Sequence, residues 1–282
     1  MGLRICKFIF GMVYDDIMID QYLKQIYKPA RDSHKGENGK VLIIAGSKLF
    51  HAASIWPAEI ASKIVDMIFY SSVDENNEIV KDKFANGIVV PRNKLEEYIK
   101  SADSILIGPG LPRENGMEKG DPDTKELTLS LLKKYPDKKW VIDGGSLQVI
   151  KPQDLPKTAI VTPHLQEFET LFGLPPTKEN AMEMAKKFNI TILLKGEIDY
   201  VCDKDKCEEI TGGNAGMTKG GTGDVLAGLA TALYAKNDAF TSAVVASYIN
   251  KKAGESLADS QGIYFNSSDL VDEIPFVMKN LL

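Results

Sequence analysis

The chain has 282 residues, enough for one large α/β domain or for two ordinary ones. Its hydrophobic share of 44% and its charged share of 26% are typical of folded globular proteins and exclude a disordered chain. The net charge of −5 argues against general binding to nucleic acids or to anionic membranes.

The chain begins with a short apolar patch at residues 1–16, followed by acidic residues. A signal peptide is not predicted, because no small-residue cleavage site follows the patch. No apolar run in the chain reaches transmembrane length. We interpret residues 1–34 as an N-terminal extension, with a terminal strand or a disordered segment first and an amphipathic segment at 15–27.

Short apolar runs bounded by glycine or polar residues predict the strands of a sheet. Their nearly continuous apolar character is typical of parallel strands buried on both faces. The predicted strands lie at 41–46, 67–72, around Ile88, at 104–110, in a run ending at Asp143, at 159–162 and at 190–196. The sequence YVCDKDKCEEI predicts a hairpin with its turn at 203–206.

Helices are predicted between these strands, at 52–67, 94–101, 124–135, 167–172, 179–188 and 225–234. Pro57 fits the first of them only if it lies in the first turn. Strands that alternate with helices of this length imply right-handed crossovers and a mostly parallel sheet with helices on both faces. We therefore predict one α/β domain over residues 35–282.

The three cysteines are odd in number and lack the spacing of a metal site, and no metal-ligating residues are predicted. This usage favours a reducing compartment and a cytoplasmic protein. Cys202 and Cys207 flank the hairpin turn and are placed to face each other, so they can oxidise. Because cytosolic disulfides are uncommon, the sequence favours two unrelated thiols.

Glycines and polar residues follow four of the predicted strands, at the edge where an open α/β sheet binds its ligand. Gly108 and Gly110 allow the backbone to approach a ligand closely, Asp143 can hold a hydroxyl or a hydrated metal ion, and His164 can donate to a polar group. Each alone is more often a turn or a cap, but together they favour a binding cleft. Lys195 either snorkels from its strand end or reaches a phosphate.

The segment GGNAGMTKGGTGDVLAG, at 212–228, holds seven glycines and runs into an apolar helix. Glycine costs about 1 kcal/mol relative to alanine in regular structure, so this cluster indicates special backbone shapes or close approach to a ligand. A glycine loop at a helix N-terminus presents unpaired N–H groups that bind anions, most often phosphate. The residues alone leave open whether Asp224 caps the helix or serves as a base.

GNAGMTKGGTGDVLAG closely resembles the GNxGMATGGTGDVLxG segment of the ADP- or ATP-dependent NAD(P)H-hydrate dehydratases, which have a ribokinase-like three-layer fold. KGENGKVLIIAGS, ILIGPGL, VTPHLQEFETLFG and LLKG are similar to further motifs of that family, in the same order, from residue 35 to the end. The resemblance implies repair of NAD(P)H hydrate. A nucleotide, ADP rather than ATP, phosphorylates the ring hydroxyl with Mg²⁺, and phosphate then leaves as the double bond forms.

The resemblance also implies roles for single residues. Asp224 corresponds to the base, which helix N–H groups are expected to keep ionised at neutral pH. The anion hole corresponds to Gly221, Thr222 and Gly223. Nucleotide contacts fall on Lys195, Gly196, Glu197, Ile198, Asp199 and Gly223, and substrate contacts fall on Ala53, Gly110, Asp143, His164, Asn214 and Asp224.

The chain departs from the family pattern near the expected hydrate pocket, at Gly145, Leu165 and Gln166, which leaves the preference between NADH hydrate and NADPH hydrate open. Lys219 replaces a threonine and either touches phosphate or faces water. The resemblance further implies a homotetramer. It also implies a separate epimerase, because fewer than 40 residues precede the first strand.

Two other functions fit parts of the pattern. A small-molecule kinase of the same superfamily, acting on a vitamin precursor or a sugar-like alcohol, would use the same Asp224 and glycine loop. A non-catalytic nucleotide sensor would explain the cleft but not Asp224.

Overall fold

One sheet organises the described part of the chain. This computed structural model describes residues 19–113, 121 and 123–282. The strands in these ranges are β1 (Lys40–Ile44), β2 (Met67–Ser71), β3 (Ile88–Val89), β4 (Ser104–Ile107), β5 (Lys139–Ile142), β6 (Ile160–Val161), β7 (Thr191–Leu194), β8 (Asp199–Cys202) and β9 (Cys207–Ile210). They form a single nine-stranded sheet in the order β3-β2-β1-β4-β5-β6-β7-β8-β9.

The sheet is mostly parallel, as predicted. Every neighbouring pair from β3 to β7 is parallel, and the hairpin β8–β9 is added antiparallel beside β7. The predicted strands and the hairpin are confirmed, with ends that differ by a few residues. Because the strand order reverses between β1 and β4, the fold has a crevice at the carboxyl ends of these two strands.

The helices pack on both faces of the sheet. Residues 19–23 are helical. The later helices are α1 (Ala52–Ser62), α2 (Asp74–Lys83), α3 (Leu95–Ser101), α4 (Thr124–Lys134), α5 (Gly144–Leu147), α6 (Leu165–Phe172), α7 (Lys178–Phe188), α8 (Thr222–Tyr234), α9 (Ala239–Gln261) and α10 (Ser267–Leu281). The three-layer architecture predicted from the sequence is therefore confirmed.

Two apolar cores lie on opposite faces of the sheet. Along β1 the side chains alternate between them, so that Val41 and Ile43 join one core while Leu42 and Ile44 join the other. The first core contains apolar side chains of α1, α8, α9 and α10, and the second contains those of α3, α4, α6 and α7. All four residues are fully buried, which explains why β1 is apolar without interruption.

Helices α1 and α2 are among those that differ from the sequence predictions. Helix α2 was not predicted, because its sequence DENNEIVKDK is polar and only Val80 joins a core. Helix α1 ends at Ser62 rather than at residue 67, and Pro57 is its sixth residue, so the prediction of a first-turn proline is wrong. Pro57 lies against Gly228 of α8, where a built Cβ would be 2.5 Å from the proline Cα. Close packing of these two helices therefore overrides the local preference.

The prediction of two unrelated thiols is wrong. Cys202 and Cys207 are directly opposed in the β8–β9 register, with their Cα atoms 4.0 Å apart, and they form a disulfide. The five-residue separation across a tight hairpin brings the two thiols together, and this geometry outweighs the compartment-based expectation.

Residues 19–27 pack on the domain. The Tyr22 hydroxyl donates to Glu208 over 2.8 Å, and the Tyr27 N–H donates to Asn237 over 2.8 Å. The strand or disordered segment predicted at 1–16 lies outside the described residues, and the boundary at residue 34 stays a prediction. None of the helices in the described ranges combines the length and hydropathy that crossing a bilayer requires.

Candidate active site

Four strand ends bring the predicted cleft residues together at one edge of the sheet. The Asp143 N–H donates to Ile107 over 3.1 Å, and the Lys195 N–H donates to Pro163 over 2.9 Å. His164 and Lys195 form an isolated parallel bridge just beyond β6 and β7. The carboxyl ends of β4, β5, β6 and β7 therefore form one continuous polar edge, as the sequence predicted.

A buried ion pair lies at the centre of this edge. Lys195 Nζ is 2.8 Å from Asp143 Oδ1, and the two side chains are 17% and 3% exposed. Thr162 also donates to Asp143 Oδ1, over 2.7 Å. Burial alone would lower the pKa of Lys195, but the carboxylates of Asp143, Glu167 and Asp224 together raise it above its usual value. Lys195 is therefore a fixed cation.

The glycine loop places a helix N-terminus beside this cation. Gly221 is the N-cap of α8 with φ +97°, a conformation that favours glycine, and a Cβ there would meet the ring of Trp56 at 2.3 Å. The N–H groups of the first helical turn have no partner within the helix. Lys195 Nζ lies 3.4 Å from a Cβ built on Gly223. Helix dipole and ammonium group therefore act on the same small volume.

Thr222 contributes to the loop through its side chain. Its hydroxyl donates to the carbonyl oxygens of Met217 and Lys219, over 2.6 and 3.0 Å. The hydroxyl thus holds the turn that precedes α8, and the Thr222 backbone N–H also donates to the Lys219 carbonyl, over 3.4 Å.

Asp224 is inside the first turn of α8 and does not cap it, because Gly221 occupies the N-cap position. Its half-buried carboxyl group has a pKa raised to about 8, chiefly by burial and further by the negative charges of Asp143 and Glu167, against the opposing effect of Lys195. The expectation of an ionised Asp224 at neutral pH is therefore wrong for the protein without ligands. The dipole of α8 does not offset the buried acidic neighbours.

A cavity of about 960 Å³ adjoins the glycine loop. Every residue assigned to nucleotide contact from the sequence lines it, together with parts of β9, α8 and α9. The sequence-assigned members are Lys195, Gly196, Glu197, Ile198, Asp199 and Gly223. Its size and mixed lining are those of a small-molecule site.

Lys251 is a residue that sequence reasoning missed. It is 6% exposed, and its Nζ donates to the Glu197 carbonyl over 3.0 Å and lies 3.5 Å from Asp199 Oδ1. Asp199 also accepts from the Gly196 N–H over 2.9 Å and from Ser247 over 2.7 Å. The carboxylate of Asp199 is therefore used to shape the cavity wall. No local motif marks Lys251, which lies on α9, far from this loop in sequence.

The substrate residues assigned from the sequence lie in different parts of the site. Ala53 and Gly110 are neighbours at the crevice between β1 and β4, where a Cβ on Gly110 would be 2.8 Å from Ala53 Cβ. Asp143 and Asp224 share the charged cluster around Lys195. Asn214 instead lines the cavity. Its side-chain oxygen accepts from the Gly216 N–H, and its side-chain nitrogen donates to the Gly254 carbonyl.

His164 lies beside the charged cluster and caps α6. Its Nδ1 accepts from the Glu167 N–H over 3.2 Å, and Glu167 Oε2 accepts from the His164 N–H over 3.0 Å. The imidazole is about half exposed, with Nε2 3.4 Å from Glu167 Oε1. It is held in place by a capping box and remains open to a ligand.

Comparison with known proteins identifies the family. The family profile described as NAD(P)H-hydrate dehydratase matches residues 41–276. The chain belongs to the NAD(P)H-hydrate dehydratase family. An ADP-dependent (S)-NAD(P)H-hydrate dehydratase of Cenarchaeum symbiosum is 33% identical, over 92% of this chain and 95% of that relative.

Other relatives of this dehydratase-family chain differ in length and in similarity. A bifunctional NAD(P)H-hydrate repair enzyme Nnr of Methanocaldococcus jannaschii is 37% identical over 91% of this chain, which spans only 51% of that relative. The structure of a ribokinase-like superfamily protein of Enterococcus faecalis superposes with a TM-score of 0.83 at 25% sequence identity. The match covers 93% of this chain and 94% of the Enterococcus faecalis chain. An ADP/ATP-dependent NAD(P)H-hydrate dehydratase of Bacillus subtilis, co-crystallised with ATP/Mg²⁺, has a TM-score of 0.78 at 22% identity, with 94% and 97% coverage. The last likeness shows the fold alone.

The departures from the dehydratase pattern have structural explanations in two cases. A Cβ on Gly145 would be 2.2 Å from the Leu111 carbonyl oxygen, so no side chain fits there. Lys219 donates to the carbonyl oxygens of Ile263 and Phe265, so it neither touches the anion site nor faces only water. Leu165 is 51% exposed, and nothing in the structure explains its replacement of the family residue.

Proposed function

We propose that this protein dehydrates NAD(P)H hydrate back to NAD(P)H, with ADP as the phosphoryl donor and AMP and phosphate as products. One observation carries the proposal: a carboxyl group and a fixed lysine meet at the N-terminus of α8 beside a nucleotide-sized cavity. The membership of the family supports the assignment. Relatives named ADP-dependent (S)-NAD(P)H-hydrate dehydratases match over 92% and 91% of this chain and support ADP.

In the proposed reaction the chain's residues position two substrates and move one proton. The cavity holds the nucleotide, with its terminal phosphate at the first-turn N–H groups of α8 and the Lys195 ammonium. The hydrate lies toward Ala53 and Gly110, at the crevice between β1 and β4. Asp224, between the two, takes the proton of the ring hydroxyl as the hydroxyl oxygen attacks phosphorus. Such positioning and charge stabilisation are the main requirements of phosphoryl transfer.

The second step releases phosphate from the phosphorylated ring. The carbon–oxygen bond breaks, phosphate leaves, and the neighbouring ring carbon gives a proton to the departing phosphate as the double bond forms. Lys195 and the first-turn N–H groups of α8 stabilise the departing phosphate in the same way as the transferring group. The anion site therefore serves both steps.

The residues present fit a magnesium ion that enters with the nucleotide. Among the described residues there is no group of three or more His, Cys, Asp or Glu side chains placed to hold a metal. Mg²⁺ commonly needs only one or two carboxylates beside phosphate oxygens and waters, and Asp143, Glu167 and Asp224 provide that choice. When bound, the ion would neutralise phosphate charge.

The test is recovery of the reduced-nicotinamide absorbance when NADH hydrate is mixed with protein, ADP or ATP, and Mg²⁺. Wild-type protein should restore the absorbance, and Asp224→Asn should abolish recovery while still binding nucleotide. Failure with both nucleotides, together with phosphorylation of another alcohol, would instead identify a small-molecule kinase. The cytoplasmic location, inferred from the cysteine content, stays a prediction, as do the homotetramer and the separate epimerase, inferred from the resemblance.

A further inference from the structure

Asn250 is a buried amide on the cavity wall whose hydrogen-bonding capacity is unused. Its side chain lines the cavity and the residue is 4% exposed. Its Oδ1 is buried and, within the described ranges, has no hydrogen-bond partner. A buried amide oxygen without a donor is unfavourable and uncommon in folded proteins, so it needs an explanation.

Two polar neighbours of Asn250 on α9 form hydrogen bonds with the described part of the chain, whereas the Asn250 oxygen does not. Ser247, one turn earlier, donates to Asp199 over 2.7 Å. Lys251, the next residue, donates to backbone carbonyls of the β7–β8 connection. Both residues fix the cavity wall, whereas Asn250 contributes an amide to that wall without bonding it. Among the described residues the Asn250 oxygen therefore lacks a donor, which a molecule bound in the cavity could supply.

The surrounding wall suits a flat aromatic ring. Apolar side chains from three different elements line the same cavity, on the β7–β8 connection, on β9 and at the start of α8. They are Ile198, Ile210 and Leu226. Small-molecule sites typically combine such walls with a few polar groups that set orientation. Asn214 also lines this cavity, but its amide is used by Gly216 and Gly254, so Asn250 is the cavity-wall asparagine whose amide oxygen is left to read the edge of a base.

We propose that Asn250 determines base specificity by pairing with adenine, which rests on the proposed use of an adenine nucleotide. An asparagine amide matches the N6–N7 edge of adenine: the oxygen accepts from the exocyclic amino group and the nitrogen donates to N7. Hypoxanthine presents two acceptors on that edge, its carbonyl oxygen and N7. One of these acceptors must therefore face Asn250 Oδ1, which is also an acceptor, with no proton between the two atoms. The pairing therefore favours ADP over IDP.

Calorimetric titration of ADP, IDP and 7-deaza-ADP tests this pairing without the hydrate. Such an amide–base pair is worth about tenfold to a hundredfold in discrimination. Wild-type protein should bind ADP at least about tenfold more tightly than either analogue, and Asn250→Leu should remove most of that difference. An ADP-to-IDP affinity ratio that is the same in wild type and Asn250→Leu would overturn the proposal.

Asn76→Leu is the matched control. Asn76 is also a buried asparagine, but its amide donates to Ser47 and Ser72, over 2.8 and 3.1 Å. Asn76→Leu should lower Tm and leave the ADP-to-IDP ratio unchanged, whereas Asn250→Leu should leave Tm unchanged or raise it. A large fall in Tm for Asn250→Leu would show a structural role and refute the assignment.

The outcomes separate this proposal from the proposed reaction. Base discrimination through Asn250 without recovery of NADH from its hydrate would refute only the reaction. Recovery of NADH with equal affinity for ADP and IDP would refute only the role of Asn250.

Discussion

Replacing Asp224 by asparagine should inactivate the protein and stabilise it at the same time. Asparagine has nearly the shape of aspartate but cannot accept the proton of the ring hydroxyl, so kcat should fall by about 10²- to 10⁴-fold. The stabilisation follows from the raised pKa. The folded protein holds the Asp224 proton more tightly than the unfolded chain does, so ionisation of this group opposes folding.

The size and pH range of the effect follow from the same shift. A pKa that moves from 3.8 to about 8 corresponds to a ceiling of about 6 kcal/mol, at about 1.4 kcal/mol per pKa unit. Because Asp224 is half-buried, solvent reduces this to roughly a few kcal/mol. Stability is lost as the pH rises from about 4 to about 8 and is then constant. The advantage of asparagine should grow over that range, to a Tm gain of roughly 5 °C or more at pH 9.

Thermal unfolding of both proteins without nucleotide, at pH 5 and pH 9, measures this effect. The Tm gain of Asp224→Asn should be clearly larger at pH 9. Asp259→Asn, at an exposed position on α9, is the matched control and should change neither Tm nor turnover. The pH profile of wild-type kcat/KM should rise through about pH 8, where Asp224 loses its proton. A Tm gain that is absent or independent of pH, or a flat profile between pH 6 and 9, would refute the reasoning.

Two further predictions concern the anion site. Lys195→Ala should weaken ADP binding by about tenfold or more in calorimetry, because it removes the fixed cation. Lys204→Ala, at an exposed position, is the control and should not change the affinity for ADP. Equal ADP affinities of wild type and Lys195→Ala would show that Lys195 is only a structural partner of Asp143. Gly223→Ala should weaken ADP binding with little change in Tm, since its methyl group would lie 3.4 Å from Lys195 Nζ, in the space a phosphate needs. Gly220→Ala meets nothing within 4 Å and should bind normally. Similar affinities for the two glycine variants would contradict this geometry.

The fold could be predicted because its signals are local. Buried parallel strands such as β1 are apolar along their whole length, so they stand out in the sequence without knowledge of their neighbours. Helix α2 could not be found in this way, since it is polar and is held by two buried asparagines and by Val80. The Pro57 error has a similar origin, because the contact that decides the course of α1 is with Gly228, distant in the chain.

The site shows the same limit in its electrostatics. The sequence motif places Asp224 at a helix N-terminus, where the helix dipole stabilises negative charge, so the sequence alone predicts an ionised carboxylate. The structure adds Asp143 and Glu167, which reach the cluster from β5 and α6, so three carboxylates surround one lysine. Desolvation together with this excess of negative charge disfavours ionisation of Asp224. A phosphate adds further negative charge at the same point, and proton transfer to Asp224 then requires compensating positive charge. The nucleotide is therefore expected to enter with its divalent cation, and the chain's own lysine alone does not provide enough charge for the base to act at neutral pH.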